Sequence, residues 1–292
     1  MKKKNIWHDD DQPRGKSLTE FVETVWQDLQ GVPANSLERP IKNLPTGLPN
    51  LDQRTGGLRM GSLTVIGGRP GMGSTSLALT IAYNVAFEQK RSVLIFSLAF
   101  DGEEAARRIL SNASKVPRFN LQNGNLDETH NAHLKSAVEQ LRKVSVHIDD
   151  EAFGLPEICR SIELLITRGA SPDLVVIDDL KMLVPDICAV KQIEATIRAL
   201  KRLARETGAA VILPAHISGR VERRELKQPL WRDLPGGVIT GGADVVLSVL
   251  REQCYDPDST RKGTADICVM RNRHGNVGML ELRFDGDCGA FE

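Results

Sequence analysis

One stretch of this sequence carries residues whose types and spacing could do chemistry. It reads Leu63-Thr64-Val65-Ile66-Gly67-Gly68-Arg69-Pro70-Gly71-Met72-Gly73-Ser74-Thr75-Ser76. The chemistry is phosphate binding. Glycines let the backbone turn tightly with successive N–H groups pointing inward, and their missing side chains let phosphate oxygens approach. A helix that starts at such a turn adds its unsatisfied N–H groups and the positive end of its dipole. The pattern G-x-x-x-x-G-K-[ST] is met by Gly68, Gly73 and Thr75 and departed from once, where Ser74 stands in place of the lysine. Thr75 would put a hydroxyl on Mg²⁺, and the lysine would neutralise β- and γ-phosphate charge. Ser74 offers one neutral hydrogen bond, worth about 0.5–1.5 kcal/mol against roughly 1.5–3 kcal/mol for a charge-assisted one. The expectation is a loop (Gly68, Arg69, Pro70, Gly71, Met72, Gly73, Ser74, Thr75, Ser76) that holds ATP and Mg²⁺ weakly. The bland alternative is a glycine-rich turn without a ligand.

Such a loop needs a strand before it and a helix after it. Leu63 to Ile66 is apolar and β-prone, and Leu77-Ala78-Leu79-Thr80-Ile81-Ala82 is helix-forming. Strand-like and helix-like runs then alternate. Ser92 to Leu98 reads as a strand buried on both faces. Asp101 to Ser114 and Asp127 to Arg142 read as helices, Val144 to Ile148 as a strand, and Leu155 to Arg168 as a helix with Pro156 tolerated in its first turn. Leu174 to Ile177 is a strand ending in Asp178-Asp179. Ile193, Ile197, Leu200 and Ala204 give the next helix its buried stripe, and Ala210 to Leu213 is a strand. Asp244 to Leu250, Thr264 to Met270 and Val277 to Phe284 make a β-rich end. The expected fold is α/β, with a mostly parallel twisted sheet flanked by helices and an antiparallel extension at the C-terminal end.

Before this globular part, residues 1–16 are polar and read as a disordered tail. Ser17 and Glu20 form a capping box, and Leu18, Phe21, Val22, Val25, Trp26 and Leu29 share one helix face. That amphipathic helix, followed by a linker with Pro33, Pro40 and Pro45, fills residues 17–45. It packs either on its own domain or on a neighbouring subunit. The globular domain is expected over 46–292.

Bulk properties exclude several classes. The 292 residues carry 38 basic and 38 acidic side chains, so any nucleic-acid contact must be local. Five scattered cysteines without C-x-x-C spacing argue against a zinc site or a disulfide framework. No apolar run approaches the ~18–20 residues that span a bilayer, and Lys2-Lys3-Lys4 is followed by no apolar signal-peptide core. A cytoplasmic, soluble protein is expected. His130 and His133 are three apart on a helix but have no third ligand nearby.

Taken together, the motifs are specific. Thr46-Gly47…Leu51-Asp52…Thr55-Gly56-Gly57-Leu58, the Arg69–Gly73 loop, Val93 to Leu98, Val176 to Leu180 and Arg271-Asn272-Arg273-His274-Gly275 occur in order from about residue 17 to the end. In them the chain resembles the C-terminal, RecA-like motor domain of the DnaB-type replicative DNA helicases. On this resemblance the family's N-terminal domain is not expected in this sequence, where only a short polar tail precedes the 17–29 helix. The resemblance implies that Asp178 holds Mg²⁺ together with Thr75, and a carboxylate and a hydroxyl are suitable hard ligands. It implies that Arg273 is an arginine finger inserted into a neighbouring subunit's site, with Arg271 the basic residue two positions earlier. It places the 17–29 helix as the element that docks on the adjacent subunit, in a homo-oligomeric, hexameric ring or a mixed ring. It also implies single-stranded DNA as a partner.

Four departures stand out. Ser74 replaces the lysine. Ala99 replaces the family's water-polarising glutamate, and alanine can neither accept a proton nor orient water; Glu103 and Glu104 lie near in sequence, on a helix expected to point them elsewhere. His216 replaces a glutamine at the end of its strand and keeps hydrogen-bonding capacity. The DNA-gripping loop reads Asp233-Leu234-Pro235-Gly236-Gly237, without its basic residue; Gly236 and Gly237 could offer backbone N–H groups, and Arg223 and Arg224 lie in the segment before it. The leading expectation is a helicase-type domain of DNA replication with impaired hydrolysis, its site residues being Asp178, His216, Arg271 and Arg273. Alternatives are a non-catalytic assembly or regulatory subunit that contacts a true helicase, a loader or a primase; a working ring helicase whose missing groups come from elsewhere; and a relative of the RecA-type recombinases.

Overall fold

The computed structural model describes residues 43–292 apart from Ile187, Gly237, Ile239 and Thr240, together with residues 18, 19, 22, 23 and 26. The chain divides into two units, 1–41 and 42–292. In the first, the five described residues are helical (α1). Leu18, Val22 and Trp26 are exposed on it. The expected polar tail over 1–16 and two of the linker prolines, Pro33 and Pro40, lie outside the described residues; the third, Pro45, is exposed directly after the short strand Asn43–Leu44.

The second unit is built on one sheet. Its elements, in chain order, are β1 (Asn43–Leu44), α2 (Pro49–Thr55), β2 (Leu58–Arg59), β3 (Leu63–Gly68), α3 (Ser74–Phe87), β4 (Val93–Ser97), α4 (Gly102–Ser114), α5 (Arg118–Asn123), α6 (Glu128–Leu141), β5 (Val146–Asp149), α7 (Leu155–Thr167), β6 (Leu174–Asp178), α8 (Leu180–Leu183), α9 (Val190–Thr207), β7 (Ala210–His216), β8 (Val245–Leu250), β9 (Thr264–Asn272), β10 (Gly278–Asp285) and β11 (Ala290–Phe291). A nine-stranded sheet runs in the order β11-β10-β9-β8-β3-β7-β6-β4-β5. From β8 to β5 every pairing is parallel; β8–β9, β9–β10 and β10–β11 are antiparallel. The expected parallel sheet with an antiparallel C-terminal extension is what forms.

The reason lies in the burial pattern. β3, β4 and β6 are buried at every position, which suits strands covered on both faces. One face carries Leu77, Ile81 and Val85 of α3. The other carries Ile158 and Ile162 of α7 and the stripe of Ile193, Ile197, Leu200 and Ala204 on α9. Strand ends differ from the expected bounds for local reasons. The Val144 N–H is taken by the Leu141 carbonyl at the end of α6, so β5 starts at Val146. β7 continues through Pro214 to His216, three residues beyond the expected Leu213. Its ladder with β6 has ended at Ile212, so a missing donor on that side loses no ladder bond.

The register places the site. Gly68 pairs with His216, and Ser97 with Asp178, so the carboxyl ends of β3, β7, β6 and β4 emerge along one edge. Ligands bind at that edge in open α/β sheets. A clamp holds the P-loop helix from behind: Thr46 N–H and hydroxyl both donate to Asp52 Oδ1, at 2.9 Å each, and Asn84 Nδ2 of α3 donates to the Thr46 carbonyl at 3.1 Å. Gly47 lies between, with φ +74°, and a Cβ there would sit 2.5 Å from Asn84 Cβ. Gly47→Ala is therefore expected to destabilise the domain by about 2 kcal/mol or more, read as a lower urea midpoint; an unchanged midpoint would remove the clamp from this account.

Candidate functional site: a phosphate loop facing a buried aspartate

The loop after β3 turns on glycines that the structure needs. At Gly67 a Cβ would lie 3.0 Å from both Ile217 and Leu234. Gly71 and Gly73 have φ of +82° and +103°, where only glycine is unstrained. Met72 is buried beneath the turn, and its N–H donates to the Arg69 carbonyl at 3.0 Å. Gly73 precedes α3 without a side-chain cap. The leading N–H groups of α3 are thus left for a ligand. Gly71, Gly73, Ser74, Thr75 and Ser76 line one cleft of about 300 Å³.

Across the loop, Thr75 Oγ1 donates to Asp178 Oδ1 at 2.9 Å. Asp178 is almost fully buried, and its Oδ2 has no partner among the described residues. Burial pushes its carboxyl up to about 6, more than the Thr75 bond lowers it, and Asp179 adds to the rise. An orphaned carboxylate oxygen beside a threonine hydroxyl is a hard oxygen pair, and it fits Mg²⁺. His216 Nε2 lies 2.9 Å from Asp179 Oδ2, and Nδ1 is buried without a partner. His216 and Arg69 line both this cleft and a second, mainly apolar cavity of about 300 Å³ bounded by Leu180, Val184 and Ile193.

The two substituted positions lie beside the site, and neither carries a charge. Ser74 is the first residue of α3 and packs beside Gly68. Ala99 is exposed just after β4. Glu104 comes closer than its helix position suggested, because Arg108, which it binds at 2.8 Å, lines the cleft. Its carboxylate also meets Arg107 at 3.4 Å, so both neighbours are cations and it is poorly suited to act as a base.

The remaining candidates divide. Arg273 follows β9; its N–H donates to the Asp244 carbonyl at 3.0 Å, and Nε lies 3.9 Å from Asp244 Oδ1. Asp244 is buried and also binds Lys201. Arg271 pairs in register with Val246 of β8. Of the DNA-facing candidates, Arg223 is exposed. Arg224 is not available in that way: it is locked inward on buried Asp233 at 2.5 Å and on the Gln228 carbonyl at 2.9 Å. Gly236 packs so close to Val190 that a Cβ would sit 2.6 Å from it. Gly237 lies outside the described residues. His130 caps α6 with Asp127. Among the described residues there is no cluster of three metal-binding side chains and no helix long and apolar enough to cross a membrane. All five cysteines are free.

Sequence reasoning missed Arg108, Arg118, Arg251 and Phe284, which also line the cleft. They come from four separate segments, and no local pattern marks them.

A P-loop, an aspartate at the end of a neighbouring parallel strand and a doubly covered sheet define a RecA-like α/β domain. The chain belongs to the DnaB-like helicase C-terminal domain family, whose model matches residues 43–292. It is 30% identical over 283 residues to the replicative DNA helicase DnaB of Buchnera aphidicola subsp. Baizongia pistaciae (strain Bp), covering 95% of this chain and 61% of that protein. It is 31% identical over 260 residues to the replicative DNA helicase DnaC of Bacillus subtilis (strain 168), covering 86% and 56%. The chain thus spans about three-fifths of these relatives' length. Among solved structures, the ATPase domain of G40P superposes with a TM-score of 0.83 at 26% identity, covering 95% of this chain and 98% of that one. A DnaB-like replicative helicase, solved in a study of its interactions with primase, also gives 0.83 at 26% identity, covering 94% and 68%.

The buried aspartate sets a pH dependence. Because folding raises the Asp178 pKa from 3.8 to about 6, its contribution to stability is fully present below the unfolded value and is lost as pH rises through the folded one. In metal-free buffer, Asp178→Asn should be more stable than the unaltered chain at neutral pH, by roughly 2 kcal/mol. The difference should fade as pH falls toward about 4. Urea midpoints of both proteins across that range test this; a constant difference would contradict it.

Proposed function

We propose that this chain is a nucleotide-binding helicase-family module of DNA replication in which ATP hydrolysis is impaired. The observation that carries the reading is selective loss. The phosphate loop and the Thr75–Asp178 pair keep their geometry, while the two positions that serve γ-phosphate charge and water activation are Ser74 and Ala99.

The loop's backbone N–H groups and the α3 terminus bind the phosphates of ATP. Thr75 and Asp178 would hold Mg²⁺, which when bound neutralises phosphate charge. His216, tied to Asp179, can donate a hydrogen bond toward the phosphates. Neither acidic candidate is suited to take the proton from an attacking water: alanine stands at position 99, and Glu104 is held by two arginines. Arg273, steadied on Asp244, is offered to the site of an adjacent subunit. Residues 17–29 supply the docking helix of a homo-oligomeric or mixed ring; the exposure of Leu18, Val22 and Trp26 supports that role. Single-stranded DNA is the expected polymer partner, met by Arg223 and by backbone groups near Gly236. The second reading, a non-catalytic subunit that contacts a true helicase, a loader or a primase, rests on the same exposed helix.

Steady-state ATPase rates with single-stranded DNA test the proposal on the unaltered chain, Ser74→Lys, Ala99→Glu and the double variant. Each substitution is expected to raise turnover by roughly 10²–10³-fold toward the double variant. Robust turnover by the unaltered chain would overturn impaired hydrolysis and favour a working helicase.

A further inference from the structure

The missing lysine leaves a question of charge, and three arginines that no motif marks answer it. Arg108 comes from α4, Arg118 from the first position of α5, and Arg251 from the residue after β8. All three line the cleft together with Gly73, Ser74, Thr75 and Ser76, and among the described residues no aspartate or glutamate lines it. We propose that Arg108, Arg118 and Arg251 form a guanidinium cradle that supplies the phosphate-neutralising charge Ser74 lacks, and that its ligand is a polyphosphate chain. The inference rests on the nucleotide reading above and goes further, by assigning the charge to residues outside the loop.

Each arginine is held in place by structure other than the ligand. Arg251 Nη1 donates to the Gly71 carbonyl at 3.0 Å, and its guanidinium carbon stands 4.1 Å above the centre of the Phe284 ring. Phe284 packs on Phe291 at 4.7 Å between centroids, and the two rings back the loop at Gly73. Arg118 is fixed by its own N–H, which donates to the Asp287 carbonyl at 3.0 Å. Its guanidinium lies over Gly289, whose φ is +67° and whose absent Cβ would sit 3.1 Å away. Arg108 lies 4.4 Å from the centre of the Phe100 ring and shares Glu104 with Arg107.

Arg108 is paired with Glu104, but the other two charges are poorly compensated. Neither Arg118 nor Arg251 makes an ion pair among the described residues, and Arg251 Nε is buried without a hydrogen-bond partner. Burial pushes the Arg118 pKa down, and Arg108 and Arg251 push the same way, against a partial opposing pull from Glu104 and Cys288. Like charges gathered in a half-buried cleft repel, and a multivalent anion relieves that repulsion. Guanidinium groups suit the task because their planar donors grip phosphate oxygens in pairs. The α3 N-terminus points at the same space.

Calorimetric titration of the full chain, with Mg²⁺ present, tests the cradle. The ligands are a non-hydrolysable ATP analogue, inorganic tripolyphosphate and adenosine. Arg118→Gln and Arg251→Gln are each expected to weaken both phosphate ligands by about 10-fold or more. Arg118→Lys, which keeps the charge, should stay within about 3-fold, and Ser74→Lys should restore binding to the Arg118→Gln protein. If both Gln variants bind both phosphate ligands as the unaltered chain does, the cradle is overturned and the nucleotide reading stands. If tripolyphosphate binds through Arg118 while the ATP analogue does not bind, the cradle stands and the nucleotide reading falls. No binding of either phosphate ligand to the unaltered chain overturns both. Should Arg118→Gln melt early, Arg251→Gln decides through the slope of log Kd against log salt: a shallower slope supports the cradle, and an unchanged slope overturns it.

Discussion

A carboxylate buried at the end of a strand, with one oxygen satisfied and the other not, is the constraint around which this domain is arranged. Asp178 can sit there only because Thr75 donates to Oδ1, and Thr75 can reach it only because α3 begins where the glycine turn leaves β3. Isolated buried charge is costly. The arrangement therefore persists where something outside the protein, or a proton, can meet Oδ2. The parallel order β3-β7-β6-β4 brings the required ends to one edge. The Thr46–Asp52–Asn84 clamp keeps α3 from drifting away from that edge. Loop, helix, strand and clamp answer to a single small volume.

Scaffold and side-chain chemistry can vary separately in such a domain. Everything that shapes the phosphate loop is kept: the left-handed glycines, the buried Met72, the hydroxyl and the aspartate. Where the family resemblance leads one to expect a lysine and a glutamate, this chain carries a hydroxymethyl group at Ser74 and a methyl group at Ala99. Such losses leave the fold untouched, because neither Ser74 nor Ala99 packs in the core. A fold can host altered function for this reason. Arg108, Arg118 and Arg251 line the same cleft, and the proposed cradle would supply binding charge from outside the loop. Those arginines are anchored by Phe100, Gly289 and Phe284, which belong to the packing of the domain.

Much of the fold was legible residue by residue. Strands such as Val93–Ser97 and Leu174–Asp178 are unbroken apolar runs, and burial on both faces leaves them no other pattern to show. The α9 stripe follows helical spacing because one side meets the sheet. Short elements were not legible. α2 and α5 have 7 and 6 residues, too few for a periodic pattern to build up. β11 is two residues whose pairing is set by β10. Arg224 looked available for DNA because its neighbours are charged and exposed, yet it turns inward onto Asp233. That partner is nine residues away and carries no local mark.

By itself, the sequence determined the phosphate loop, the alternation of strands and helices, the aspartate after a buried strand and the two substitutions that remove charge and a base. These are local statements, and local spacing and side-chain chemistry suffice for them. Only the tertiary structure decided that Asp178 is buried and half-satisfied, that Glu104 is held by two arginines, and that Asp244 steadies Arg273. Only it decided that guanidinium groups from residues 108, 118 and 251 meet at one cleft. These depend on segments far apart in the chain, brought together by sheet order and helix packing. Burial, charge compensation and convergence are properties of that packing, and no residue carries them alone.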